Sequence, residues 1–154
     1  MKTSLPEKQK GAAAIEFIAV FVIFFAVFYG TVSYSLPLLL LQSFNQATAE
    51  AVRQSVGLDP NMQGYPAAVQ ATAKTAVANR LGWIPNAYKF DASTQVTTTF
   101  TSGLLSVQIN YPSANLQAVL PFIVLPGIGT VPQLPATLQA QSSLCLLYTS
   151  DAAD

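Results

Sequence analysis

The sequence predicts an α+β protein: one long N-terminal helix, apolar where it crosses a membrane and amphipathic beyond it, and a small head of one further helix and an antiparallel sheet of about three strands. Three patterns predict it: an uncharged, largely apolar run from Phe17 to Leu41, an i, i+4 apolar stripe between Pro66 and Leu81, and two segments of alternation between Val96 and Tyr111. Composition agrees with a membrane chain. Of 154 residues 51% are hydrophobic and 9% charged, against about 25% charged in an average soluble protein, which disfavours a soluble one-domain enzyme. Seven Lys and Arg balance seven Asp and Glu, without the basic excess that nucleic-acid binders use to neutralise phosphates, so no nucleic-acid partner is expected. Histidine is absent and there is one cysteine, Cys145. The usual zinc sets, Ser/His/Asp triads, Cys/His dyads and disulfide frameworks therefore cannot be assembled within the chain. The remaining acids, Glu16, Glu50, Asp59 and Asp91, are scattered, so no catalytic residue, metal site or cofactor is expected.

The first element is the membrane span. Phe17 to Tyr29 reads FIAVFVIFFAVFY, and no charge follows as far as Leu41. About 25 such residues make roughly 37 Å of helix, enough to cross a bilayer with some tilt. A buried core helix would need more surrounding mass than the rest of the chain provides. A secretory signal peptide would carry an apolar region of about 7 to 15 residues free of acids, whereas this run is longer and is preceded by Glu16. Lys2, Lys8 and Lys10 against Glu7 place the N-terminus in the cytoplasm and everything after Leu41 outside.

The helix is expected to continue from Gln42 to Val56, with Phe44, Ala47, Ala51 and Ser55 on one face, and to stop at Gly57 and Pro60. Pro37 removes an internal hydrogen bond and is expected to kink or locally open it. A second helix should start at Pro66, a good first-turn residue, and end at Leu81 before Gly82, with Val69, Ala73, Val77 and Leu81 facing the core. Trp83, Ile84 and Pro85 then form a turn that closes the core, and Tyr88 and Phe90 begin the sheet. Val96, Thr98 and Phe100 share one face of the first clear strand; Leu105, Val107, Ile109 and Tyr111 share one face of the second, with Ser102-Gly103 as the hairpin turn. Pro112 to Pro135, rich in Pro, Gly and branched apolar residues, reads as an exposed apolar loop. It either covers one end of the sheet through Phe122 to Leu125 or packs on another subunit. Thr137 to Gln141 alternates again and returns to the sheet as a third strand. The last ten residues, CLLYTSDAAD, break the alternation and resemble a translated transposon-end sequencing adapter. Residues 145–154 are read as a non-native tail that includes Cys145, the natural chain being expected to continue past Leu144.

Glu16 is the residue that needs an explanation. A carboxylate costs about 2.5 to 3.5 kcal/mol at the centre of a membrane helix and less near its end, so Glu16 either snorkels to the headgroups or finds a partner. It follows Lys8, Lys10, Gly11 and Ala12-Ala13-Ala14-Ile15 and precedes Phe17. A basic leader, a glycine, four small or apolar residues, a glutamate, an aromatic residue and a long apolar helix resemble the class III signal of type IV prepilins. The form AAAIEF, followed by a Phe/Val-rich helix, is most similar to the TadE-like minor pilins or pseudopilins of tight-adherence (Flp) pilus systems. The segment Gln46 to Arg53, QATAEAVR, resembles the stretch that follows the membrane helix in that family, although a helix face packed on the head reads equally well.

The resemblance implies a prepilin peptidase that cuts between Gly11 and Ala12, Glu16 as the fifth mature residue pairing with the new α-amino group of a neighbour, and packing of helices through Phe17, Phe21, Phe24 and Phe25. It implies a bacterial inner-membrane protein, single-pass, with other pilus subunits and assembly-platform proteins as partners and a place in adhesive pilus assembly. The organisation expected is a cleaved leader 1–11, a transmembrane helix 12–41, a helical extension 42–57, an extracytoplasmic head 58–144 and the tail 145–154. The alternative is an uncleaved single-pass anchor carrying an extracytoplasmic binding module, with an enzyme a remote third class.

Overall fold

The computed structural model describes residues 8–125 and 129–146. Helix α1 runs from Lys8 to Ser55, 48 residues or about 72 Å. Helix α2, Tyr65–Leu81, folds back against its C-terminal half, and a short helix α3, Ala92–Gln95, leads into the sheet. Strands β1 (Val96–Thr101), β2 (Leu104–Pro112) and β5 (Thr137–Cys145) form an antiparallel sheet in the order β1-β2-β5. Between β2 and β5 the chain makes a separate two-stranded ribbon from β3 (Ile123–Leu125) and β4 (Gly129–Val131). The expected α+β plan of a long helix, one further helix and a three-stranded antiparallel sheet is what the chain adopts, with the ribbon and α3 added.

The core forms where the periodic faces meet. Phe44, Ala47, Ala51 and Ser55 of α1 are fully buried, as are Val69, Ala73 and Val77 of α2, with Leu81 nearly so. Leu105, Val107, Ile109 and Tyr111 of β2 are fully buried too. Turn Ser102-Gly103, both residues with positive φ, closes the β1–β2 hairpin in the register Thr101↔Leu104, the conformation that a two-residue hairpin with the native twist requires. Phe44 lies at the centre, its ring 5.6 Å from those of Phe90 and Tyr111. The Tyr111 hydroxyl donates to the Tyr88 carbonyl at 2.6 Å, and burial pushes its phenol up to about 12. Phe44→Ala would leave a hole between two rings and is expected to cost about 3–5 kcal/mol. A lower denaturation midpoint of the full chain in detergent, followed by near-ultraviolet circular dichroism of the tyrosines, would report it.

Four expectations are corrected. Trp83 does not close the core: it is 61% exposed, and Ile84 makes the contact instead. The sheet does not begin at Tyr88 and Phe90; those residues form a 3-10 turn and a linker, where Tyr88 offers its carbonyl and Phe90 its ring to the core, and the sheet starts at Val96. The helix is not opened at Pro37. Proline removes the hydrogen bond to the Ser33 carbonyl, yet α1 runs through it without a break, with Ser33, Pro37 and Leu40 buried there.

The fourth correction concerns Pro112 to Pro135, which keeps the expected exposed apolar side chains at Ile123 and Val124 and packs Phe122 on the core, but is not a loop throughout. It forms a 3-10 turn at Ser113–Ala118 and the β3–β4 ribbon, and it lies along α1. The Tyr29 hydroxyl donates to the Pro121 carbonyl, the Gln133 N–H donates to the Tyr34 hydroxyl at 2.9 Å, and Leu120, Val131 and Pro132 are buried. Lys2 and Glu7 of the leader and residues 147–154 of the tail lie outside the described residues. Strand β5 itself runs to Cys145, which pairs with Leu104.

Candidate functional site

The cleavage, pairing and helix-packing residues expected from the sequence all lie in the N-terminal half of α1. Gly11, Ala12 and Glu16 are exposed in the first described turns of α1, well before Tyr29, whose hydroxyl bonds the Pro121 carbonyl. A Cβ built on Gly11 meets nothing within 4 Å, so this glycine is not required by packing inside the chain. Glu16 makes no ion pair among the described residues. Every residue from Gly11 to Phe28 is exposed, and this stretch belongs to a helix long and apolar enough to cross a membrane, by length and composition.

The phenylalanines form two columns at i, i+4 spacing, which brings side chains together on one helix face. In the first, the rings of Phe17 and Phe21 are 5.9 Å apart and those of Phe21 and Phe25 4.8 Å; in the second, Phe24 and Phe28 are 6.1 Å apart. Phe24 and Phe25, edge to face at 6.3 Å, join the columns. Phe28 extends the set beyond the four residues expected, and the same spacing marks it in the sequence. Thr31 and Ser35 satisfy their hydroxyls on carbonyls of their own helix, Val27 at 2.9 Å and Val32 at 2.8 Å.

A second feature lies at the far end of α1. An open groove of about 700 Å³ between α1 and α2 is lined by Gln46, Ala49, Glu50, Arg53, Gln54, Ala76, Asn79 and Arg80. Arg53 holds Glu50 with both Nε and Nη2 at 2.9 Å, and Gln54 adds a third hydrogen bond at 2.9 Å. These bonds, the Arg53 contact first, bring the Glu50 carboxyl down to about 2. The segment Gln46 to Arg53 therefore has two faces: Ala47, Thr48, Ala51 and Val52 pack on the head, while Gln46, Glu50 and Arg53 line the groove. No group of three or more metal-ligating acids or thiols occurs among the described residues.

No curated protein and no solved structure matches the chain. The model of the TadE-like protein family matches residues 11–53. That match starts at the glycine before the apolar run and ends at the arginine of the groove, and so takes in nearly all of α1. The match covers well under half of the chain, and over this N-terminal helix the chain is similar to TadE-like proteins.

Proposed function

We propose that the chain is a minor pilin or pseudopilin that takes part in assembling a tight-adherence pilus. A prepilin peptidase removes the leader after Gly11, and the mature subunit packs through its apolar helix against other pilus subunits. The observation that carries this reading is the placement of Gly11, Ala12 and Glu16 on a bare helix whose family match begins at Gly11. Cutting there would make Ala12 the first residue of α1. Its new ammonium group and the unsatisfied N–H groups of the first turn then form a positive end, with Glu16 one turn further in. Side by side in a low-dielectric bundle, the amine of one subunit can meet the carboxylate of the next, and a charge pair that neither could make with lipid is satisfied between chains. The phenylalanine columns supply ring surface for the same contact. The role is structural rather than enzymatic, the head stands outside the inner membrane, and assembly-platform proteins are further partners.

Mass spectrometry of the N-terminus, from cells with and without a prepilin peptidase, tests the reading. The chain is expected to begin at Ala12 in the first case and at Met1 in the second. The alternative, an uncut single-pass anchor with an outer binding module, expects Met1 in both.

A further inference from the structure

Counted from the carboxylate of Glu16, the continuously exposed part of α1 is shorter than a membrane span. From Gly11 to Phe28 it rises about 27 Å, and from Phe17, the first residue past the carboxylate of Glu16, only about 18 Å, whereas the hydrocarbon core is about 30 Å thick. A bilayer whose inner boundary lies at Glu16 therefore takes in residues beyond Tyr29, which is where the flanks of the β3–β4 ribbon are tied to the helix through Tyr29 to Pro121 and Gln133 to Tyr34. Those two tyrosines stand where amphipathic rings concentrate at a membrane boundary.

Charge is distributed to match. No charged residue occurs from Phe17 to Ala49, nor from Ala92 to Leu146, so the ribbon, its flanks and the helix beneath it are uncharged throughout. The charged residues of the head, Glu50 to Asp91, fall in other parts of the chain. The ribbon also turns apolar side chains outward: Val124 is 71% exposed and Ile123 41%. On α1 beside it, Val32, Leu38 and Leu39 are exposed as well, and they continue the apolar surface of the span past the point where the head begins.

We infer that the β3–β4 ribbon is a second membrane contact, lying in the headgroup layer of the outer leaflet with Ile123 and Val124 in lipid. This rests on the reading of α1 as a membrane span. A two-stranded sheet has an unpaired edge on each strand, which can invite pairing by another strand; lying in the interface removes the ribbon from that competition and fixes the height and tilt of the head above the bilayer.

Tryptophan fluorescence of the full chain in phosphatidylcholine/phosphatidylglycerol vesicles tests the inference. The natural chain, with exposed Trp83, gives the water reference. Trp83→Phe with Phe24→Trp reports the span, and Trp83→Phe with Val124→Trp reports the ribbon. If circular dichroism shows that Val124→Trp does not fold, Thr130→Trp, its partner across the ribbon, replaces it. The residue at 124 or 130 is expected to emit to the blue of Trp83 and to be quenched more by lipids brominated near the headgroups than by lipids brominated near the chain ends, with the reverse order at 24. Quenching at 24 with red, unquenched emission from the ribbon would overturn the inference and leave the span intact. Blue but unquenched emission would mean that protein rather than lipid covers the ribbon, and overturns it too. Absence of quenching at both positions would sink the span and the inference together.

Discussion

Gly11→Leu is expected to abolish removal of the leader, so that a host with a prepilin peptidase carries the variant at full precursor mass and the natural chain at the mass of Ala12 onward. The prediction is clean because the structure leaves nothing else for the substitution to disturb. A Cβ at position 11 meets no atom within 4 Å, and the site lies inside the helix. Glycine in a helix interior is about 0.8 to 1 kcal/mol less favourable than alanine, and leucine ranks just below alanine; the apolar span is unchanged, so insertion should proceed. What leucine does change is the approach of a protease to the backbone at that bond, which glycine alone leaves bare. Natural and variant chains of equal, shortened mass would show that position 11 is not read in this way, and natural chains left uncut would favour the plain anchor.

The parts of this molecule that were legible in its sequence are those whose signal is local. The stripe Val69, Ala73, Val77, Leu81 and the alternation from Leu105 to Tyr111 state their period within a few residues, and each lies buried as that period requires. Ser102-Gly103 marks its turn by a glycine at a position where a two-residue hairpin needs positive φ, which both residues adopt. The β3–β4 ribbon could not be read in that way. Its strands are three residues long, too short to show a period, and what fixes it to α1 is a pair of tyrosine hydroxyls separated from their partners by 92 and 99 residues. Trp83 misled for a related reason. A large apolar side chain after a helix stop suggests a lid on the core, but Gly82 and Ile84 direct the chain so that the isoleucine takes that place and the indole faces out. The candidate site is legible as a motif because glycine, spacing, acid and apolar run are contiguous. Its use, on the reading proposed here, involves other molecules, and a single chain accordingly presents Gly11, Glu16 and the phenylalanines bare.

Glu16→Gln is expected to separate processing from assembly. The amide keeps the length and shape of the side chain, and neither the bond after Gly11 nor the helix around it depends on the charge, since Glu16 has no ion-pair partner among the described residues. Cleavage should therefore proceed as in the natural chain. In the assembled bundle the loss would be felt: the amine of Ala12 on a neighbouring subunit would be left without its counter-charge in a low-dielectric environment, a penalty of a few kcal/mol. The amine can escape part of it by releasing its proton or by moving toward the headgroups, so incorporation should fall steeply without necessarily reaching zero. If Glu16 merely snorkels at the cytoplasmic face, the outcome differs, because a neutral amide at the interface inserts at least as readily as a carboxylate, and neither cleavage nor incorporation would change. Cross-linking of processed natural and Glu16→Gln subunits to the major pilin distinguishes the two. A strong drop in yield at equal cleavage supports pairing between chains, and equal yields would remove Glu16 from the assembly contact while leaving the peptidase site at Gly11 to stand on its own mass measurement.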